Sequence, residues 1–327
     1  MRKMIFAALC LTVSAVLLSG CGGNAASDGD RTDAESLSVV TTIFPEYDWV
    51  KEIVGENAGN MELTLLLDNG VDLHSYQPTA DDIVKISECD IFIYVGGESD
   101  EWVEDALEES TNEDRIVISL LDVLGDSVRE EELAEGMEAE EEEADEEEAE
   151  YDEHVWLSLR NAEVLCQYIC DRLCEMDEEG SELYAANTAD YLEKLSELDV
   201  QYEAAVAAAA RSTLLFGDRF PFRYLVDDYG LDYYAAFAGC SAETEASFET
   251  IAFLAGKVDE LGLTTVLTLE GSAHDIAETI ISTADSGDVQ ILSMDSMQST
   301  TSADVEDGAT YLSIMENNLT VLTQALN

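Results

Sequence analysis

The sequence predicts an α/β protein of two lobes, each a mostly parallel sheet flanked by helices, joined by one long rigid helix. In both halves of the 327-residue chain, short apolar segments alternate with helical segments, which is typical of βαβ units. Between the halves, residues 181–210 contain good helix formers and neither Gly nor Pro. At about 1.5 Å per residue, such a helix would be about 45 Å long and could join two lobes.

The first residues resemble the signal peptide of a bacterial lipoprotein. A basic start, "MRK", precedes the apolar run "MIFAALCLTVSAVLL", and "LLSGC" ends at Cys21. Small residues before a cysteine favour lipidation over a plain secretory signal or a membrane helix. We expect residues 1–20 to be removed, Cys21 to carry the lipid, and residues 21–36 to be a flexible tether. The protein would then be anchored to the cell membrane on its extracytoplasmic side.

Residues 37–180 are predicted to form the N-terminal lobe. Strands are expected at "SLSVVTTIF", "MELTLLL", "DIFIYVGG", "EDRIVISLLDV" and "HVWLSL". The helix in "PTADDIVKISEC" begins after Thr79, a residue suited to capping, with two Asp residues in its first turn. Cys166, Cys170 and Cys174 recur every four residues in one helix, so core packing explains them better than a metal site.

Residues 129–153 are dominated by Glu and Asp. Such a run of like charges repels itself and predicts a disordered acidic loop. It leads directly to His154.

The alternation resumes in residues 211–327, the predicted C-terminal lobe. Strands are expected at "STLLFG", "LDYYAAF", "TTVLTLE" and "VQILSMD", with helices between them and a closing helix in "GATYLSIMENNLTVLTQAL". Two such lobes would enclose a cleft, and ligands of parallel sheets bind at the carboxyl ends of the strands.

The net charge limits the kinds of binding partner that the protein can have. Fourteen Lys and Arg residues against 73 Asp and Glu residues give a net charge of −59. A nucleic acid would be repelled, whereas cations or a cationic surface would be attracted.

Three candidate ligands lie beside predicted strands: His74, His154 and Asp295. Imidazole and carboxylate groups bind Zn²⁺, and Mn²⁺ accepts them too. A metal-dependent surface hydrolase could use the same residues, although no known catalytic motif is present. A surface adhesin with a structural metal is the other alternative.

Several segments resemble the metal-binding lipoproteins of zinc and manganese ABC uptake transporters. The similar segments are "GVDLHSYQPTADD" with His74, "EHVWLSLRNA" with His154, "ILSMDSM" with Asp295, and the closing helix "YLSIMENNLTVL". The resemblance implies a monomeric binding protein, not an enzyme, that delivers Zn²⁺, or alternatively Mn²⁺, to an ABC permease. Zinc-binding members often carry a charged, His-rich loop before the second His, so the acidic loop here is expected to gather cations weakly.

One position departs from that pattern. The family's third ligand is a His or Glu after the first strand of the second lobe, where this chain has Arg219. A guanidinium stays protonated and cannot coordinate a cation. Asp218 and Glu243 are the leading substitutes, and Glu245, Glu270 and His274 are further candidates. His274 falls within a predicted helix, where a solvent-facing role is favoured.

Overall fold

The computed structural model describes residues 36–55, 61–108, 111–112, 114–138, 150–241 and 245–327. Cys21, the predicted signal peptide, nearly all of the tether and Glu243 lie outside these ranges. The described residues from Ser36 onward form one compact unit. Within the described ranges, no helix is both long enough and apolar enough to cross a membrane.

Two sheets of four parallel strands, each flanked by helices, confirm the predicted fold class. The first contains β1 (Leu37–Thr41), β2 (Met61–Leu65), β3 (Ile91–Tyr94) and β4 (Ile116–Ser119), in the order β2-β1-β3-β4. The second contains β5 (Thr213–Phe220), β6 (Asp232–Ala238), β7 (Thr265–Leu269) and β8 (Gln290–Met294), in the order β6-β5-β7-β8. In each sheet, successive strands are added first on one side of the first strand, β1 or β5, and then on its other side. Ligands of such sheets bind at this reversal of the strand order.

The helices around the first sheet are α1 (Phe44–Val54), α2 (Ala80–Glu88), α3 (Trp102–Glu108), α4 (Leu120–Leu124) and α5 (Leu159–Met176), and α6 (Ser181–Ala208) follows them in the chain. Those of the second half are α7 (Arg223–Tyr229), α8 (Phe248–Leu261), α9 (Asp275–Thr283), α10 (Ser302–Glu306) and α11 (Tyr311–Ala325). The capping role expected of Thr79 is confirmed, because its side chain accepts a hydrogen bond from the Asp82 amide.

The segment after His154 is not the strand that the sequence predicted. Val155–Leu157 form a 3₁₀ turn, and α5 begins at Leu159. Ser158 ends the turn and caps the helix, since its hydroxyl accepts from the Asn161 amide. The apolar run "VWL" is fully buried. Burial on all sides produces such a run in a turn as readily as in a strand.

The 28-residue helix α6 separates the two sheets in the chain and packs its three Tyr side chains, with Leu195 and Leu198, into the core. Other contacts join the two halves directly. The Trp156 indole donates to the Ser296 carbonyl at 2.8 Å, and the Tyr311 hydroxyl donates to the Trp156 carbonyl at 2.7 Å. Both rings are fully buried. The halves therefore share a packed core behind the cleft.

The acidic segment is ordered at both ends, contrary to the prediction of disorder for 129–153. Glu130 and Tyr151 form an antiparallel bridge, and the Glu138 carboxylate accepts from Ser247 and Thr250 at the start of α8. Backbone pairing and a carboxylate that accepts hydrogen bonds at a helix start provide these anchors despite the charge. Residues 139–149 lie outside the described residues.

Candidate metal centre

His74 lies in the 3₁₀ turn Leu73–Ser75, in the loop after β2. Its backbone amide donates to Asp72 Oδ1 at 3.0 Å, which fixes the turn. Its ring Nδ1 lies 2.7 Å from Ser99 Oγ and 3.5 Å from Glu153 Oε2. Because Nδ1 is engaged on this side, the other nitrogen, Nε2, is the one that can bind a ligand.

His154 is fully buried and is oriented by a neighbouring carboxylate. Asp152 Oδ1 accepts from both the backbone amide of His154, at 2.9 Å, and ring Nδ1, at 3.0 Å. The carboxylate therefore selects the tautomer that carries its proton on Nδ1. Its Nε2 is left with a free lone pair, the arrangement typical of a metal-ligating histidine.

The two Nε2 atoms face each other at 3.1 Å. With both protons on Nδ1, two lone pairs would meet at this distance and repel each other unless a cation lies between them. Two ligands about 2.0–2.1 Å from a tetrahedral zinc ion are separated by about 3.3 Å. The spacing of the rings therefore suits a shared metal ion.

The pKa shifts of the two rings differ. Burial and the charge of His154 lower the pKa of His74 to about 3. Burial also acts to lower the pKa of His154, but the Asp152 and Glu153 carboxylates outweigh it and leave the pKa above the ordinary 6.5. The pair can thus accept one proton in the normal pH range, and that proton competes with a metal ion.

Cys240 completes a group of three potential ligands. Among the described residues, the group of His, Cys, Asp or Glu ligand atoms that all lie within 4.8 Å of one another consists of His74, His154 and Cys240. The Cys240 amide donates to Glu131 Oε1 at 3.0 Å, so the ordered end of the acidic segment holds this residue. Burial, followed by the Glu131 and Asp152 charges, strongly raises the pKa of the thiol.

A glycine brings Cys240 to the histidines. A Cβ on Gly239 would lie 2.9 Å from the Phe220 carbonyl oxygen and 3.0 Å from His154 Cε1. Only a residue without a side chain lets the end of β6 pass so close to the ring. Sequence reasoning missed Cys240 because no C-x-x-C pair marks it. Its position just after a predicted strand was the available signal.

Two of the carboxylates proposed from the sequence, Asp295 and Asp218, accept hydrogen bonds from backbone amides. Asp295 Oδ1 accepts from the Met297 amide at 2.8 Å. Asp218 accepts from the Arg219 and Leu269 amides. Neither residue belongs to the three-residue group among the described ligand atoms. Glu270 accepts from the amide and hydroxyl of Ser296.

His274 is not inside a helix. It precedes α9 with a positive φ of 64°, an uncommon conformation for a residue with a side chain. Its Nδ1 lies 3.0 Å from Thr268 Oγ1, and the residue is half-buried rather than solvent-facing. It does not belong to the group of three.

Arg219, at the expected position of the third ligand, forms an ion pair between the lobes. Its Nη2 donates to Asp72 Oδ2 at 2.6 Å, and each side chain is 23% exposed. The pairing of β5 with β6 shifts register between Phe216 and Arg219. Such irregularities redirect side chains near functional sites. Arg219 thus lies beside His74 but supplies no metal ligand.

Comparisons with known proteins point to the same chemistry. Residues 39–325 match the family model described as zinc-uptake complex component A, periplasmic. The chain is 30% identical over 322 residues to the zinc-binding lipoprotein AdcA of Streptococcus pneumoniae, which covers 98% of this chain and 60% of that protein. It is 29% identical over 314 residues to the high-affinity zinc uptake system protein ZnuA of Bacillus subtilis, covering 95% of this chain and 94% of that protein.

Solved structures agree with the fold. The crystal structure of the Zn(II)-bound ZnuA-like domain of Streptococcus pneumoniae AdcA matches with a TM-score of 0.70 at 28% identity, over 89% of this chain and 99% of that one. The chain spans 55% to 60% of the length of the AdcA proteins that it matches. The match over residues 39–325 shows that the chain belongs to the zinc-uptake complex component A family.

Proposed function

We propose that this protein captures one zinc ion between its lobes and delivers it to the permease of an ABC transporter. The ion is held by His74 Nε2, His154 Nε2 and Cys240 Sγ. The 3.1 Å separation of the two Nε2 atoms is the observation that carries the proposal. Family membership supports the same cargo, since the matched model describes a zinc-uptake component.

The donor set favours zinc over manganese. Thiolate and imidazole are ligands for zinc, whereas manganese prefers carboxylate and water oxygens. Asp295 and Asp218, the carboxylates that would have suited manganese, bind backbone amides instead. Zn²⁺ is therefore the first choice of cargo, and Mn²⁺ the second.

Anchoring remains part of the proposal. The motif ending at Cys21 supports lipidation at this residue and a position on the extracytoplasmic face of the membrane. Family membership supports capture rather than catalysis, because the matched family model describes an uptake component.

Zinc affinity measured against a fluorescent chelator tests the proposal. Folding-linked zinc sites contribute about 10–16 kcal/mol over four ligands, so one ligand is worth about 3 kcal/mol, or about 150-fold in affinity. His74→Ala and His154→Ala should each weaken binding by about that factor. His274→Ala, the same substitution at the remaining histidine, is the matched control and should stay within about twofold.

Equal zinc affinity in all three variants would refute the proposal. Thermal unfolding of the metal-free protein separates transport from a structural role. A transport receptor must remain folded when empty, so we expect a cooperative transition without zinc. Loss of that transition on metal removal would instead favour an adhesin with a structural metal.

A further inference from the structure

The two ordered ends of the acidic segment form a hairpin base, made of residues 129–132 and 150–153. An antiparallel bridge joins its arms, and the Glu131 amide donates to the Glu150 carbonyl at 2.9 Å. The returning arm leads directly into His154. The hairpin base and a proposed zinc ligand are therefore consecutive in the chain.

One tyrosine of the second lobe holds both arms of the hairpin base. The Tyr224 hydroxyl, on α7, accepts from the Arg129 amide at 3.0 Å and donates to the Asp152 carbonyl at 2.7 Å. Tyr224 is buried. Because Asp152 also orients the His154 ring, docking of the hairpin base on α7 is coupled to the position of that ring.

The outgoing arm of the hairpin base contacts another proposed ligand. Glu131 Oε1 accepts from the Cys240 amide at 3.0 Å, and the neighbouring Glu132 carboxylate pairs with Arg223 of α7. The cavity left between the hairpin base and strands β5 and β6 measures about 10 Å³. That is about the smallest space that holds one water molecule. The hairpin base is therefore packed closely against the second lobe, beside two of the proposed ligands.

The hairpin base is held less firmly than the core behind the site. The His154 side chain is fully buried and that of His74 is 8% exposed, so an ion between them is largely enclosed and its exchange needs a movement. Behind the site, Trp156 and Tyr311 join the lobes by buried hydrogen bonds. The hairpin base depends on a few hydrogen bonds and on an ion pair whose Glu132 side chain is 56% exposed. Such contacts open at a lower free-energy cost than a packed core.

We propose that the hairpin base is a clasp, and that zinc enters and leaves the site when this clasp undocks from α7 and from Cys240. The clasp opens and closes both with and without zinc. Weakening its contacts therefore raises the rates of entry and exit together and leaves the equilibrium affinity unchanged. A segment that only positioned the ligands would, when weakened, raise the exit rate alone. This inference rests on the proposed zinc capture and names the movement that controls it.

Stopped-flow kinetics of Tyr224→Phe test the clasp. The change removes the hydroxyl that holds both arms and keeps the ring. Association is followed on mixing with zinc, and dissociation on mixing the zinc-loaded protein with excess EDTA. Tryptophan fluorescence reports both, since the Trp156 ring lies 5.3 Å from the His154 ring. Both rate constants should rise about tenfold or more, the factor that two hydrogen bonds provide, and affinity should stay within about twofold.

Tyr202→Phe is the matched control. It removes the hydroxyl of another buried tyrosine, on α6, which donates to the Met315 carbonyl at 2.6 Å. Both rate constants should equal those of the unmodified protein. Circular dichroism checks that each variant is folded.

Arg223→Gln tests the clasp through a different contact. It breaks the ion pair with Glu132 and should speed dissociation about two- to fivefold, as expected for an ion pair that is partly exposed. Loss of a positive charge would by itself hold the zinc cation more firmly, so the clasp and simple electrostatics predict opposite changes. Dissociation no faster than in the unmodified protein would contradict the clasp.

The kinetic results separate this inference from the proposed function. Unchanged rate constants in Tyr224→Phe, or equal changes in Tyr202→Phe, would overturn the clasp. Faster dissociation with unchanged association would also overturn it, because the hairpin base would then only position the ligands. These results leave zinc capture intact. Failure of the unmodified protein to bind zinc would overturn the proposed function itself.

Discussion

Replacing Cys240 by serine tests the ligand that distinguishes this site. The change keeps the size of the side chain nearly constant and replaces a thiolate donor with a hydroxyl, a poor zinc ligand. The Cys240 sulfur lies within 4.8 Å of both imidazole ligand atoms, so it can share one ion with them. Loss of one ligand should weaken zinc binding by about 3 kcal/mol, or about 150-fold.

The proton that the Cys240 thiol must lose on binding zinc adds a pH dependence to this prediction. Burial and nearby carboxylates raise the pKa of the Cys240 thiol, so it is protonated in the empty protein and must lose its proton to bind zinc. Zinc affinity should therefore rise about tenfold per pH unit even above the pKa of His154. In Cys240→Ser this rise should level off there. Below that pKa, both proteins gain the proton of His154 as a further competitor.

Cobalt binding provides a direct assay. Thiolate-bound Co²⁺ shows a sulfur-to-metal charge-transfer absorption in the near ultraviolet, and Cys240→Ser should lose it. Cys174→Ser, on the partly exposed face of α5, is the matched control and should keep it. A cobalt complex of the unmodified protein without this absorption would show that the thiol is not a ligand.

Further predictions concern residues around the site. Asp152→Asn should lower zinc affinity about 10–100-fold by weakening the hold on His154, and an unchanged affinity would refute the positioning role. Burial and the Asp100 charge raise the pKa of Glu46 to about 8. The folded state therefore favours the protonated form of Glu46. The contribution of Glu46 to the free energy of unfolding is fully present below pH 4.5 and is lost as the pH rises towards 8. Denaturant unfolding should show this loss, and Glu46→Gln should reduce it; an equal loss in the variant would contradict the assignment. Replacing residues 139–149, which include eight acids, by Gly and Ser should slow zinc association at low salt by about tenfold and leave equilibrium affinity within about twofold. Equal stopped-flow rates would show that the acids do not steer the cation.

The fold could be predicted because it depends on local patterns. Strands such as "DIFIYV" and the uninterrupted run of helix formers in α6 are visible in the sequence. The same reasoning wrongly predicted a strand for the segment "VWLSL". An apolar run that is buried on all sides lacks the hydrophobic periodicity that distinguishes a strand from a helix or turn. The acidic segment was predicted to be disordered from its average composition. Its anchors are single residues, such as Gly136 against Phe253, which an average conceals.

The site was harder to predict because it depends on long-range contacts. His74 could be found from its position after a strand and from the resemblance of its loop to a known motif. Arg219 pairs with Asp72, which lies 147 positions earlier in the chain. No sequence spacing rule predicts a contact between residues so far apart. Cys240 lies apart from the three cysteines of α5, whose regular spacing reflects core packing, and has no second cysteine at metal-ligand spacing. A cysteine that follows a glycine at a strand end is a different signal.

The charges around the site explain how a buried ion can be both held and released. In the proposed site, zinc with one thiolate would leave a net positive charge, while the nearby charge of Arg219 is balanced by Asp72. Buried carboxylates of Asp152 and Glu153 beside the two rings offset this charge. When the ion leaves, those acids lose their counter-charge. Burial already raises the pKa of Glu153 and Glu131, so proton uptake by such groups can replace the departing cation. If zinc is exchanged for protons in this way, we expect the shared core to stay packed while the cargo changes, without a large separation of the lobes.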